Sequence, residues 1–330
     1  MATADRAQAL WITWESQPRN RSMARALGVP LHELLFTGPR ARRHLGATIA
    51  TLRLLARERP SVVFASNPSL VLTFLLLACR RLFGFSFVSD AHYGGIVAVT
   101  GSAFLQRCLD FANRRAAFVI VTNAGHAAKV RGLGGRPLVC PDPLPELSAG
   151  ECPPAALADA DKPVLFACSY AIDEPYAAVF EAARDLARRG FTVFASGNAA
   201  RAGLSPEAVP HVRLLGFVDR ATYEGFVRHS ALVLDLTNWE DCLVCGAYEA
   251  MAAGTPCVVS RTAALMELFT HGTVFSSHEP DQLVRAVVSA YERRDALRAQ
   301  IPEWVARHVA AVRERVAAIR AAVGLPPAEP

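Results

Sequence analysis

Residues 231–260 read ALVLDLTNWEDCLVCGAYEAMAAGTPCVVS. The apolar run 231–236 has the length and composition of a strand buried on both faces. It runs into a loop carrying Glu240 and Asp241. A short helix bearing Glu249 follows and stops at Gly254. Thr255-Pro256 restarts the chain as a second apolar strand. Asp241 and Glu249 thus stand eight residues apart across a strand–loop–helix junction. In an open α/β sheet, that junction is where ligands bind.

Outward from this stretch, strand-like and helix-like segments alternate along the chain. That pattern predicts an α/β protein with parallel sheets. Strands are expected at 9–14, 31–36, 62–66, 85–89, 118–122, 164–168, 191–195 and 212–215. Helices are expected at 19–27, 43–58, 68–82, 103–115, 124–131, 174–189 and 219–229. A helix over 280–298, a break at Pro302 and a last helix to 322 complete the reading. There is no short-period repeat.

The 330 residues exceed what one core usually holds. Two Rossmann-like domains are expected, with the ligand site in the cleft between them. Residues 1–145 form the first and residues 163–300 the second. Residues 146–162 are rich in Pro, Ala and acid and read as the linker. Residues 301–330 read as a C-terminal helix packing back on the first domain, then a tail.

Hydrophobic residues make up 52% of the chain, so both cores are amply supplied. The eight cysteines show no regular spacing. Cys242 and Cys245 form a CxxC with no second pair, so no metal site is expected. With neither a signal peptide nor a sufficient apolar run, the chain is expected in the cytoplasm. No P-loop is present, and no G-x-G-x-x-G follows the first strand, which excludes those ATPase and dinucleotide classes.

Charge is uneven. Residues 1–150 hold 18 Lys and Arg against 8 Asp and Glu, and the remainder holds 17 against 22. The basic half fits an anionic partner such as a phospholipid surface or a pyrophosphate. Solvated helix faces explain it equally well, in a chain with 33 Arg and 2 Lys. No nucleic-acid partner is expected.

The string from Asp241 to Pro256 resembles the E-x7-E region of retaining family 4 glycosyltransferases of GT-B fold, whose pattern ends in Glu-Ala-Met-Ala-Ala-Gly-Thr-Pro. Residues 249–256 carry that form. The resemblance implies a donor nucleotide sugar, UDP- or GDP-linked, with Glu249 on its ribose. Asp241 takes the place of the first Glu, and Glu240 beside it is a substitute. Gly246, at the start of the short helix, would bring backbone N–H groups to a phosphate. Ser169 and Asn198 are further donor-side candidates. Family 4 enzymes place an Arg and a Lys after the first strand of this domain to hold the diphosphate. This chain has Ser169, Asp173 and Glu174 there and no basic residue between Lys162 and Arg184. Arg201 could replace them, although a solvated side chain is its ordinary reading.

A second resemblance lies in residues 64–95. Ser66-Asn67-Pro68-Ser69, an apolar helix, then FVSDAHYGG at 87–95 are similar to β-mannosyltransferases that extend chitobiosyl diphosphodolichol. Asp90 and His92 match that family's Asp and His; Ala91 and Tyr93 depart from its pattern. The implied role of Asp90 is general base in an inverting transfer, with His92 as the second choice. Asn67, Gly94, Gly95, Arg19 and Arg21 are acceptor-side candidates. The implied acceptor is a hydroxyl, with a polyprenyl-phosphate-linked glycan suited to a basic face held at the inner surface of a membrane. No cofactor beyond the donor is expected. Three other readings stay open: a retaining family 4-type transferase, a nucleotide-sugar epimerase, and a catalytically degenerate GT-B scaffold.

Overall fold

The computed structural model describes residues 8–148 and 153–327. The chain divides into two compact units. The first comprises residues 1–143 and 309–330, and the second residues 144–308. Residues 149–152 of the expected linker lie outside the described residues.

The first unit runs β1 (Ala9–Thr13), α1 (Pro18–Leu27), β2 (Leu31–Glu33), α2 (Arg40–Glu58), β3 (Val62–Asn67), α3 (Leu70–Phe83), β4 (Ser86–Ala91), α4 (Tyr93–Ile96), α5 (Ala103–Arg115), β5 (Phe118–Val121), α6 (Ala124–Gly132) and β6 (Pro137–Val139). Its six strands are parallel in the order β2-β1-β3-β4-β5-β6. Strand alternation supplies two cores. Leu10, Ile12, Val63, Ala65 and Phe87 face one layer with Leu54, Leu55, Leu72 and Leu76. Ala9, Trp11, Phe64 and Val88 face the other, with Met23, Ala24 and Leu27. Helix α1 starts on Pro18, whose missing N–H costs nothing at that position.

The second unit runs β7 (Lys162–Phe166), α7 (Tyr176–Arg188), β8 (Phe191–Ser196), β9 (Val212–Gly216), α8 (Arg220–His229), β10 (Leu232–Asp235), α9 (Cys245–Ala253), β11 (Cys257–Ser260), α10 (Ala263–Leu268), β12 (Thr273–Ser276), α11 (Pro280–Glu292) and α12 (Arg294–Ala322). Its strands are also parallel, in the order β12-β11-β10-β7-β8-β9. Strand order reverses between β10 and β7, so loops after these two strands diverge to opposite faces and leave a crevice at their carboxyl ends. The α/β class with two Rossmann-like units and parallel sheets, read from the sequence, is the observed one.

Two expectations need correction. The helix expected over 280–298 ends at Glu292. Helix α12 then begins at Arg294 and continues through Pro302 rather than breaking there. An interior proline costs a helix about 3 kcal/mol. Packing on both sides of Pro302 offsets that cost. Ile301 and Trp304 are buried, Trp304 stacks on Phe269, and its Nε1 donates to the Leu268 carbonyl. A large apolar side chain contributes about 1.5–3 kcal/mol on full burial. Beyond His308 the helix belongs to the first unit, where Val312, Val316 and Ile319 join the core around Trp11 and Phe64.

The stretch expected as a linker is not a bare tether where it is described. Ser148 donates its N–H and hydroxyl to Glu224, a fully buried carboxylate on α8, and Arg228 donates to the Ser148 carbonyl. Leu157 is buried in the core of the second unit.

Candidate active site

The crevice at the β7/β10 switch point holds a cavity of about 570 Å³. Its floor is the carboxyl end of β10 and the start of α9. Glu249, Gly246, Ser169 and Asn198 all line it, so four of the six donor-side candidates come together. Asp241 and Glu240 are not among the lining residues. Glu240 instead accepts the Ala263 N–H at the first turn of α10.

Helix α9 places Glu249 one turn in from its N-terminus. The Tyr223 hydroxyl, reaching from α8, donates to Glu249 Oε2 at 2.8 Å. Burial pushes the Glu249 carboxyl above its usual 4.5, and the Tyr223 hydrogen bond works against that shift. A half-enclosed carboxylate already oriented by a hydroxyl is suited to accept hydrogen bonds from a diol.

Asp235 was not singled out by sequence reasoning. It ends β10, is buried, and accepts the Ala247 N–H at 3.0 Å through Oδ2. The amide end of α9 therefore already holds a carboxylate, where the sequence suggested a phosphate. A Cβ on Gly246 would lie 2.7 Å from Asp235 Oδ2 and 2.6 Å from the Ala167 Cβ, so only glycine fits between strand end and helix. The signal was present as the one acid in the apolar run ALVLDL, but its partner appears only when α9 packs on β10.

Burial raises the Asp235 carboxyl well above its usual 3.8, with the Glu174 charge adding to the effect. The folded state then holds a proton that the unfolded state has released. Stability contributed at this site is full below the unfolded pKa and is lost as pH rises toward the folded one. Asp235→Asn removes that titration while its amide oxygen can take the place of Oδ2 in accepting from Ala247. Its stability relative to the parent should therefore increase with pH. Urea denaturation of both proteins at pH 4 and pH 8 checks this; a difference that shrinks with pH would refute it.

The acceptor-side candidates lie in the first unit. Asp90, at the end of β4, is fully buried. Both its oxygens accept from Arg19, Oδ1 from Nη2 at 2.6 Å and Oδ2 from Nε at 2.9 Å. Arg19 is itself enclosed and also pairs with Asp142. Burial and then the Arg19 charge lower the His92 imidazole to about 4, and its Nε2 is closed off from solvent. Asn67 is buried and donates to the Gly95 carbonyl at 3.3 Å. Gly95 packs so closely on Asn67 that a Cβ would sit 2.6 Å from the Asn67 carbonyl oxygen. Its small size thus serves contact with β3. Gly94 is next to it in α4. Arg21 is exposed and bonded to Glu33 and Ser16.

Cys242 and Cys245 are free thiols, and no metal-binding cluster of His, Cys, Asp and Glu occurs among the described residues.

A family model described as glycosyl transferase 4-like domain matches residues 3–141, and one described as glycosyl transferase-like matches residues 176–320. Between them they span both units. The chain belongs to the GT-B glycosyltransferases of the family 4, group 1 type. No curated protein matches the transferase in sequence.

Among solved structures, the transferase is similar to HepE of Anabaena in complex with UDP-glucose, at TM-score 0.72 and 13% identity. That match covers 96% of this chain and 99% of the other. It is also similar to sucrose-phosphate synthase of Thermosynechococcus elongatus, at TM-score 0.64 and 16% identity, with 96% of each chain covered. A putative UDP-N-acetylglucosamine 2-epimerase from Listeria monocytogenes matches at TM-score 0.62 and 13% identity, with 95% of each covered. At such identities the likeness concerns the fold.

Proposed function

We propose that this transferase moves a sugar from a nucleoside-diphosphate sugar to a hydroxyl acceptor, with the donor in the β7/β10 cavity. The observation that carries the reading is Glu249, lining that cavity at the switch point and oriented by Tyr223. The UDP-glucose complex of a fold relative supports a UDP-linked donor. GDP is the other candidate from the sequence.

Two stereochemical forms follow. In the inverting form Asp90 takes the acceptor proton, with His92 beside it. That role requires the Arg19 pair to open, because both Asp90 oxygens are engaged and enclosed. The retaining form needs no base there, and the closed pair favours it. The epimerase reading draws on the Listeria relative; conversion of donor without acceptor would support it.

The proposed acceptor is lipid-linked and presented at an anionic membrane surface. Among the described residues no helix is long and apolar enough to cross a membrane. Exposed Leu45 and Ile49 on α2 share a helical stripe with exposed Arg42 and Arg53, and exposed Val71, Arg81 and Leu82 lie on α3. Apolar side chains flanked by arginine suit an interface with anionic lipid.

The test incubates the protein with UDP- and GDP-sugars and polyprenyl-phosphate-linked acceptors, with and without vesicles containing phosphatidylglycerol. A glycosylated acceptor and its anomeric configuration, read by NMR, are the expected outcome. Donor consumption independent of any acceptor would overturn the transfer reading. Failure to sediment with the vesicles at low salt would remove the membrane surface.

A further inference from the structure

The cavity carries an unusual charge pattern for a site that takes a diphosphate. Asp173, Glu174, Asp235 and Glu249 line it, and Arg201 is the single basic lining residue. Its two sets of convergent backbone amides are also already occupied. The α9 end is held by Asp235. The other set lies in the loop after β7, and Glu174 fills it.

Glu174 receives the Ser169 N–H at 2.9 Å on Oε2 and 3.1 Å on Oε1. The Ser169 hydroxyl donates to Oε1 at 2.9 Å, and the Ala171 N–H to Oε2 at 2.9 Å. The Cys168 thiol adds a donor at 3.2 Å. Tyr170, between the two amides, has φ +61°, in the left-handed region. A left-handed residue between ordinary ones turns successive N–H groups toward one point, which is how backbone loops bind anions. The Tyr170 ring packs against those of Tyr176 and Phe180.

The two internal carboxyl groups differ in one respect. Asp235 is buried and locked between β10 and α9. Glu174 is only half-buried, on a loop at the cavity wall. An incoming phosphoryl group would find the same four donor groups that the carboxylate now uses.

We propose that Glu174 is an internal competitor of the donor's diphosphate: its carboxylate occupies the amide cradle of the empty cavity and is displaced when phosphate enters. The inference rests on the donor reading above and names the residue that sets how strongly this site prefers a nucleoside diphosphate over the bare nucleoside. A ligand that must displace a bound group binds more weakly by the population of the open state. Removing the charge should therefore tighten phosphate binding and leave nucleoside binding alone.

Calorimetry on the full chain tests this with uridine, UDP, guanosine, GDP and inorganic pyrophosphate. The parent is compared with Glu174→Gln, which keeps the shape of the side chain, and Glu174→Ala, which empties the cradle. Circular dichroism verifies that each variant is folded. Tenfold or greater tightening of pyrophosphate and of the bound nucleotide, with the matching nucleoside unchanged, is the expected result. Unchanged or weaker nucleotide and pyrophosphate binding in both variants, with nucleoside binding intact, would overturn the role of Glu174 while sparing the donor reading. Tightened pyrophosphate with no nucleotide or nucleoside binding by any protein would do the reverse. If none of the probes binds any of the proteins, both readings fall.

Discussion

Glu249→Gln is expected to weaken nucleotide binding and lower kcat/KM by about 10- to 100-fold while leaving the fold as stable as the parent. The magnitude follows from what the substitution removes. A hydrogen bond to a charged group contributes about 1.5–3 kcal/mol, and each 1.4 kcal/mol is about tenfold in affinity. Stability should hold because the amide oxygen of Gln can accept from the Tyr223 hydroxyl, which donates to Glu249 Oε2 at 2.8 Å in the parent. The change also removes a carboxylate that burial disfavours. Glu249→Ala should lose function and stability together, since the enclosed Tyr223 hydroxyl is then left without its acceptor. Tyr223→Phe separates the two roles. It removes the group that orients Glu249 and keeps the carboxylate, so affinity should fall less than in Glu249→Gln. Calorimetric titration with UDP and GDP, alongside thermal denaturation, reads all three variants. Affinity within twofold of the parent in Glu249→Gln would show that Glu249 does not hold the donor.

The position of Glu249 was legible because it depends on local pattern. A parallel strand covered on both faces reads as an unbroken apolar run, and residues 231–236 are such a run ending at the β10 carboxyl end. The helix that follows is bounded by Gly254 in the left-handed conformation, as Gly before Thr-Pro suggests. The elements that went unread are short. β6, β12, α4 and α10 span three to six residues, too few for either period to show. Pro302 was misread because a local rule met a tertiary override, the burial of Ile301 and Trp304.

The candidate site was legible as a crevice at a strand end more than in its hydrogen bonding. Asp235 and Glu174 look like an ordinary strand-end acid and a loop acid in the sequence. Their hydrogen bonds to backbone amides exist only once β10 meets α9 and the loop after β7 curls around Tyr170. Enclosure was equally hidden. A carboxylate at a strand end suggests an open, catalytic position, and nothing in FVSDAHYGG announces that Arg19, 71 residues earlier, encloses it from α1.

That enclosure sets the expected outcome for Asp90→Asn. The parent pair is held by two hydrogen bonds, Arg19 Nη2 to Oδ1 at 2.6 Å and Nε to Oδ2 at 2.9 Å, with Asp90 fully buried. Removing one partner of a buried ion pair leaves the other charge uncompensated and costs about 3–5 kcal/mol. Asp142 also pairs with Arg19, which places the expected loss at the lower end of that range, about 3 kcal/mol. For a unit of this size that lowers Tm by about 6–12 °C. A base role makes a different demand. Losing a general base costs about 10²–10⁴ in turnover and need not move Tm. The triple variant Arg19→Met/Asp90→Asn/Asp142→Asn separates the two causes, because it removes the cation together with both of its carboxylates and strands no charge. If the pair is structural, the triple variant should be more stable than Asp90→Asn alone and keep turnover within about tenfold of the parent at temperatures where both are folded, since none of these side chains then touches the reacting atoms. If Asp90 takes the acceptor proton, turnover stays as low in the triple variant as in the single one, however well it folds. Both oxygens of Asp90 are already committed to Arg19, so the first outcome is expected, and it would leave the retaining form of the transfer standing.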